Sequence, residues 1–196
     1  MAEKSVDTYI KNGNEFVEQD NFDKAIVEYT KALKIDPNLY EAKNGLFVAH
    51  FNRGMYHYRN YEENGASEEI DKAIEDVTKA IHYEPDNVQA YGARGSLLNI
   101  KHDYDGVIRD FSEAIRLEPT AVSYSARGSA YYGKSRKYLG NDDDKYYKYF
   151  EFAIKDWKEA VKLDPSDELT QKQLKNSITE LELRKGIDDF QKTLGN

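Results

Sequence analysis

The stretch that decides the fold is Tyr91 to Pro119, "YGARGSLLNIKHDYDGVIRDFSEAIRLEP". It ends in an apolar residue, an acid and a proline. Three other stretches end the same way: "EYTKALKIDP" (28–37), "DVTKAIHYEP" (76–85) and "DWKEAVKLDP" (156–165). The four prolines, at 37, 85, 119 and 165, are spaced by 48, 34 and 46 residues. Self-similarity at such a period marks a stack of supersecondary units. One helical hairpin cannot bury its apolar face alone, whereas neighbouring hairpins bury a continuous core.

The remainder of each unit agrees. Upstream of the endings come "YIKNGNEF" (9–16), "HFNRGMYH" (50–57), "YGARGSLL" (91–98) and "YSARGSAY" (124–131), each with Gly four residues after its first residue. In the second half of each unit, Ala25, Ala73, Val107 and Ala153 occupy a small site. Tyr29, Val77, Phe111 and Trp157 occupy a large one, and Ala32, Ala80, Ala114 and Ala160 a second small one. Small beside large lets two antiparallel helices interdigitate closely. Gly inside a helix costs about 1 kcal/mol against Ala, so its recurrence predicts a close helix approach. Proline ends each second helix, because the residue before it is pushed out of the α region.

The bare 34-residue period and these positions resemble the tetratricopeptide repeat from Val6 to Pro165. The resemblance implies one all-α domain, a right-handed superhelix of four hairpins. Their expected bounds are 6–39, 40–87, 88–120 and 121–165, with a capping helix over 166–194. Leu174, Ile178 and Leu181 form that helix's apolar face, Ser166 or Asp167 is its expected N-cap, and Gly186 is expected to break it.

Two units are longer than 34 residues. In the second, seven residues before the first helix and seven between the helices predict one helix from about Leu39 to Glu63. Asn64-Gly65 stops it, and Ser67 is expected to cap the next. In the fourth, "GKSRKYLGNDDDKYYKYFEF" predicts two lengthened helices with a turn at Gly140-Asn141. Asp142 to Asp144 cap the second of them. Three consecutive acids lack the alternating spacing of a calcium loop, so no metal is expected there. The extension forms an aromatic flange. Tyr146 and Phe150 continue the Trp157 face into the core, whereas Tyr138, Tyr147, Tyr149 and Phe152 offer an interface.

Three units place Arg just before the helical Gly (Arg53, Arg94, Arg127) and Asp just before the large residue (Asp76, Asp110, Asp156). These are expected to meet as structural ion pairs within each hairpin, the alternative being arginines that face a ligand anion. The first unit has Asn12 and Glu28 in those places.

Composition bounds the rest. The 196 residues carry a formal net charge of −8, with 33% charged residues and no cysteine. That argues against non-specific nucleic-acid or anionic-lipid binding and excludes disulfides and thiolate sites. No apolar run is long enough for a membrane span, and the N-terminus has no signal core, so a cytoplasmic location is expected. His50, His57, His82 and His102 lack metal spacing, and there is no phosphate loop or nucleophile elbow. The chain therefore reads as a non-enzyme without cofactor.

The resemblance implies instead a scaffold or adaptor that binds another protein or a peptide along the inner faces of the first helices. The positions that match are Ile10, Asn14 and Val17; Phe51, Asn52, Met55, Tyr58 and Arg59; Ser96 and Asn99; and Ser129 and Tyr132. Members that grip a terminal carboxylate use a clamp of cations and two asparagines. Asn14 and Asn52 match the asparagines, but Ile10, Gln89 and Ala93 stand where the cations belong, so an acidic tail is not the expected ligand. The alternative is self-assembly into a homo-oligomer through the flange. A small-molecule sensor or enzyme is a more distant reading.

Overall fold

The protein's structure, a computed structural model, describes residues 5–194. Among the described residues there are nine helices and no strand: α1 (Val6–Glu18), α2 (Phe22–Ile35), α3 (Tyr40–Asn64), α4 (Ser67–Tyr83), α5 (Val88–Ile100), α6 (Tyr104–Leu117), α7 (Ala121–Arg136), α8 (Asp143–Leu163) and α9 (Glu168–Leu194). The chain divides into two compact units, residues 1–97 and 98–196, with the division inside α5.

In the first unit α1 packs on α2 and α3 on α4, and α2 also packs on α3. Ala25, Tyr29, Leu46 and Ala49 form the core where these helices meet. The recurring glycines mark the closest approaches. A Cβ on Gly13 would lie 2.5 Å from the Tyr29 ring, and one on Gly54 would lie 2.9 Å from Val77. Gly45, which the repeat pattern does not single out, is as tight: a Cβ there would also lie 2.5 Å from Tyr29. The Tyr29 ring is thus seated against a glycine of its own hairpin and a glycine of the next.

In the second unit α6 packs on α7, α7 on α8, and α8 on α9. Gly128 repeats the rule, since a Cβ there would lie 3.0 Å from Trp157. Tyr146, Phe150 and Ile154 are buried, and Leu174, Ile178 and Leu181 of α9 pack against them. Full burial of one such side chain contributes about 1.5–3 kcal/mol, so α9 is held by its apolar face.

The turns differ with hairpin length. The two short hairpin turns pass through Asp20 (φ 54°) and His102 (φ 55°), which stand at the same position of the repeat. The long hairpins turn through Gly65 (φ 70°) and Gly140 (φ 77°), where the missing Cβ removes the left-handed penalty. Asp142 caps α8 by accepting from the Lys145 N–H at 3.0 Å. Asp167 caps α9 by accepting from Leu169 and Thr170 N–H at 3.0 and 3.1 Å.

Two expectations are corrected. Ser67 is the first residue of α4 rather than its cap. Ala66 holds the cap position, and its own N–H donates to Asn64 Oδ1 at 2.8 Å. Gly186 does not break the last helix, which runs on to Leu194. A single helical Gly costs only about 1 kcal/mol, less than the gain from continuing the hydrogen-bond ladder.

Candidate functional site

The lengthened α3 governs the surface of the first unit. A cavity of about 590 Å³ opens between the exposed side of α1 and the start of α3. Val6, Ile10 and Leu39 supply its apolar surface, and Asn14 is its one uncharged polar side chain. Asn14 is positioned from behind: Tyr29 Oη donates to Asn14 Oδ1 at 2.7 Å. That contact commits the amide oxygen inward and leaves the amide N–H₂ as the outward donor. Burial pushes the Tyr29 hydroxyl pKa upward, so it remains a donor. Ile10 and Val17 lean partly on the Tyr29 core, which fixes α1 as the wall of the cavity.

The cavity takes Ile10 and Asn14 from the expected set, but it is not lined by Phe51, Met55 or Tyr58. Those three lie further along α3, half-buried. Phe51 stacks on Phe47 with centroids 5.8 Å apart, and Tyr58 Oη donates to Glu62 Oε1 at 2.7 Å. Asn52 and Arg59 are exposed. Leu39 and Glu41 take the place opposite α1. The seven-residue extension before the unit's first-helix match was the signal for this, because it brings an earlier turn of α3 level with α1.

Ser96 and Asn99 are exposed on α5, and Ser96 Oγ donates back to the Gly92 carbonyl at 2.9 Å. In the second unit Ser129 Oγ likewise donates to the Ser125 carbonyl at 3.0 Å. Tyr132 is held rather than open. Its hydroxyl donates to Glu180 Oε2 of α9 at 3.1 Å, and its ring packs on Phe150 at 5.3 Å.

Beneath this surface lies a polar network. Arg53 Nε and Nη2 donate to both oxygens of Asp76 at 2.8 and 2.6 Å, and Nη1 reaches Asp23 at the start of α2. His50 Nδ1 lies 3.0 Å from Asp76 Oδ1, and His57 Nδ1 lies 2.8 Å from Glu69 Oε2. Burial works against an ionised Asp76, but the hydrogen bonds from His50 and Arg53 outweigh it and hold its pKa at about 2. Glu69 is held at about 2 by hydrogen bonds from Lys72, His57 and Asn60. The roles of His50 and His57 escaped the sequence because neither has a partner at helical spacing.

Arg127 repeats the fork on Asp156, at 2.7 and 2.9 Å, and adds Ser112 Oγ at 3.0 Å. In the first hairpin an amide replaces the cation: Asn12 Nδ2 donates to Glu28 Oε2 at 2.9 Å. These arginines are turned to carboxylates of their own hairpins. Arg94 and Asp110 fall on different units.

The flange divides in two. Tyr149 stacks on Tyr131 and Tyr138 with centroids 6.4 and 5.6 Å apart, and Phe152, 39% exposed, meets Tyr131 at 5.3 Å. Lys134 Nζ lies 4.4 Å from the Tyr149 ring centre. Tyr147 is apart from this ladder, edge-on to Tyr146 at 5.2 Å and under Lys185 of α9. Among the described residues no group of three acids, histidines or cysteines could hold a metal ion, and no helix is long and apolar enough to cross a membrane.

A family model described as TPR repeat matches residues 13–60. Human Tetratricopeptide repeat protein 13 is 26% identical over 111 residues, which is 57% of this chain and 12% of that protein. The first TPR of Spaghetti (RPAP3), solved bound to the HSP90 peptide SRMEEVD, aligns with a TM-score of 0.52 at 19% identity. That alignment covers 67% of this chain and 95% of that one. MamA from residue 41 onward, of Desulfovibrio magneticus RS-1, aligns at 0.54 and 15% identity over 100% and 96% of the two chains. A thermophilic TPR protein of Thermus thermophilus aligns at 0.51 and 14% identity over 89% and 100%. Residues 13–60 thus match a tetratricopeptide-repeat model, and the chain shares the all-α fold of these solved proteins.

Proposed function

We propose that this protein is a protein-interaction module, a scaffold or adaptor that holds a segment of a partner between α1 and the start of α3. The observation that carries this reading is the α1–α3 cavity. It pairs the apolar Ile10 and Leu39 with an amide donor preset by Tyr29. An extended segment needs apolar anchorage for its side chains and a donor for its backbone carbonyls. The peptide bound by the solved TPR of Spaghetti supports peptide recognition as a use of this fold. Arg53 and Arg127 are turned onto carboxylates of their own hairpins, so neither is presented to a ligand anion.

The test is selection of random peptides displayed on phage against the full chain. Recovered peptides are re-measured on Ile10→Asp and Leu39→Glu variants whose helical circular dichroism is unchanged. Binders that lose affinity in both variants are expected. Binders indifferent to both would place recognition elsewhere.

A second reading rests on the ladder of Tyr131, Tyr138, Tyr149 and Phe152: a second copy of this chain covers it. Phe152 is exposed and the three tyrosines are half-buried, and aromatic side chains are enriched at interface hot spots.

A further inference from the structure

We propose that the α1–α3 groove selects a basic segment carrying aliphatic anchors, a stretch in which Lys or Arg alternates with Leu, Ile or Val. This rests on the groove reading above and names the chemistry of its occupant. Around the apolar strip of Ile10 and Leu39 stand four carboxylates, Asp7, Glu15, Glu18 and Glu41, against a single cation, Lys11. Lys11 is already engaged with Glu15 at 3.8 Å, and both side chains are more than half exposed. Asp7, Glu18 and Glu41 are exposed and have no ion-pair partner among the described residues. The cavity therefore presents an apolar floor with an excess of negative charge at its rim. A like-charged or uncharged segment would leave those carboxylates unpaired as it displaced their water.

Cations placed beside them gain steering and register. The chain's net charge of −8 adds a long-range field of the same sign. The apolar strip supplies the second requirement. Lys and Arg lay their methylene stems on apolar surface while their charged heads stay in water, and an aliphatic side chain beside Ile10 and Leu39 removes more apolar surface from water than a stem does. Asn14 then donates to a backbone carbonyl between anchors, independent of sequence. Charge at the rim sets the partner's class, and the floor distinguishes it from any polycation.

The test uses three fluorescein-labelled peptides of equal length, each about ten residues, capped at both ends. One alternates Lys or Arg with Leu, one replaces every cation with Glu, and one keeps the cations but replaces every Leu with Ser. Each is titrated by fluorescence anisotropy against the full chain, against Ile10→Asp, Leu39→Glu and Asn14→Ala, and against Glu18→Lys/Glu41→Lys. The expected result is binding of the basic, Leu-containing peptide at least about tenfold tighter than either other probe. That binding weakens with added salt and in each groove variant, and Glu18→Lys/Glu41→Lys shifts the preference toward the Glu peptide.

If the Glu peptide binds best and the groove variants abolish it, the groove reading stands and the charge inference falls. If the Ser-containing basic peptide binds as well as the Leu-containing one, the attraction is unspecific and the inference falls. If no probe responds to Ile10→Asp, Leu39→Glu or Asn14→Ala, both readings fall together.

Discussion

Arg53 holds both oxygens of Asp76, at 2.8 and 2.6 Å, and its third nitrogen reaches back to Asp23 of the preceding hairpin. One guanidinium therefore ties α3 to its own partner helix and to the start of α2. Asp76 is 3% exposed, so removing its carboxylate strands a partly shielded cation and leaves His50 Nδ1 without its partner. Breaking a buried pair from one side costs about 3–5 kcal/mol. Arg53 retains some access to water, which places Asp76→Ala near about 3 kcal/mol. Urea denaturation of the two proteins measures it, and a loss under about 1 kcal/mol would show that the fork is not a structural tie.

The same carboxylate gives a pH signature. Its folded pKa of about 2 lies below the ordinary value of 3.8. Its stabilisation is therefore fully present above the unfolded value and is lost as pH falls through the folded one. The difference corresponds to about 2 kcal/mol. Between pH 5 and pH 2 the wild type should lose about that much more stability than Asp76→Asn, which has no carboxylate to titrate. Glu69 titrates in the same window and shares His57 with Asp76, so the comparison is made with Glu69→Gln in both proteins. Equal losses in the two proteins would contradict the assignment.

Glycines of similar local setting should respond with opposite signs. Gly45→Ala forces a Cβ to 2.5 Å from the Tyr29 ring, and overpacking of this kind costs about 1–3 kcal/mol. Gly186→Ala meets nothing within 4 Å and gains helix propensity of up to about 1 kcal/mol. Thermal unfolding should place the first variant below the wild type and the second at or above it. A stable Gly45→Ala would mean that the Tyr29 ring has room to move.

The divided flange separates two explanations of any dimer. Tyr149 and Phe152 share the ladder with Tyr131, whereas Tyr147 is engaged beside Tyr146 and Lys185. If a second copy covers the ladder, light scattering should show a wild-type mass that falls with dilution. Tyr149→Ala/Phe152→Ala should be monomeric, and Tyr147→Ala should resemble the wild type. A monomeric wild type at every concentration removes self-assembly.

Much of this architecture is local, which is why it was legible. The alternation of small, large and small side chains before each proline states which face of each second helix is buried. Ala25, Tyr29 and Ala32 are 0%, 2% and 0% exposed, as that periodicity requires. Helix ends followed from residues whose backbone preferences act within one turn: Asn64 and Gly65 at the end of α3, Asp142 before α8. Ser67 and Gly186 misled because both signals are weak. A Ser at the first helical position resembles a cap one residue early, and one Gly is a small cost inside a long helix.

What decided the candidate site was not local. Repeat register placed Phe51 and Met55 opposite α1, but the early start of α3 puts Leu39 and Glu41 there. Whether Tyr132 faces a groove depends on α9, whose Glu180 takes its hydroxyl. The pairing of His50 with Asp76 joins residues 26 positions apart on different helices. The amino-acid sequence by itself determined the helices, the buried faces and the repeated hairpin, because these follow from spacing along one helix and from propensity within a turn. Only the tertiary structure decided which turns stand side by side, and therefore which charges ring the cavity. That depends on how far each helix extends before it meets its neighbour, and a periodic sequence states the face of a helix without stating its level along the stack.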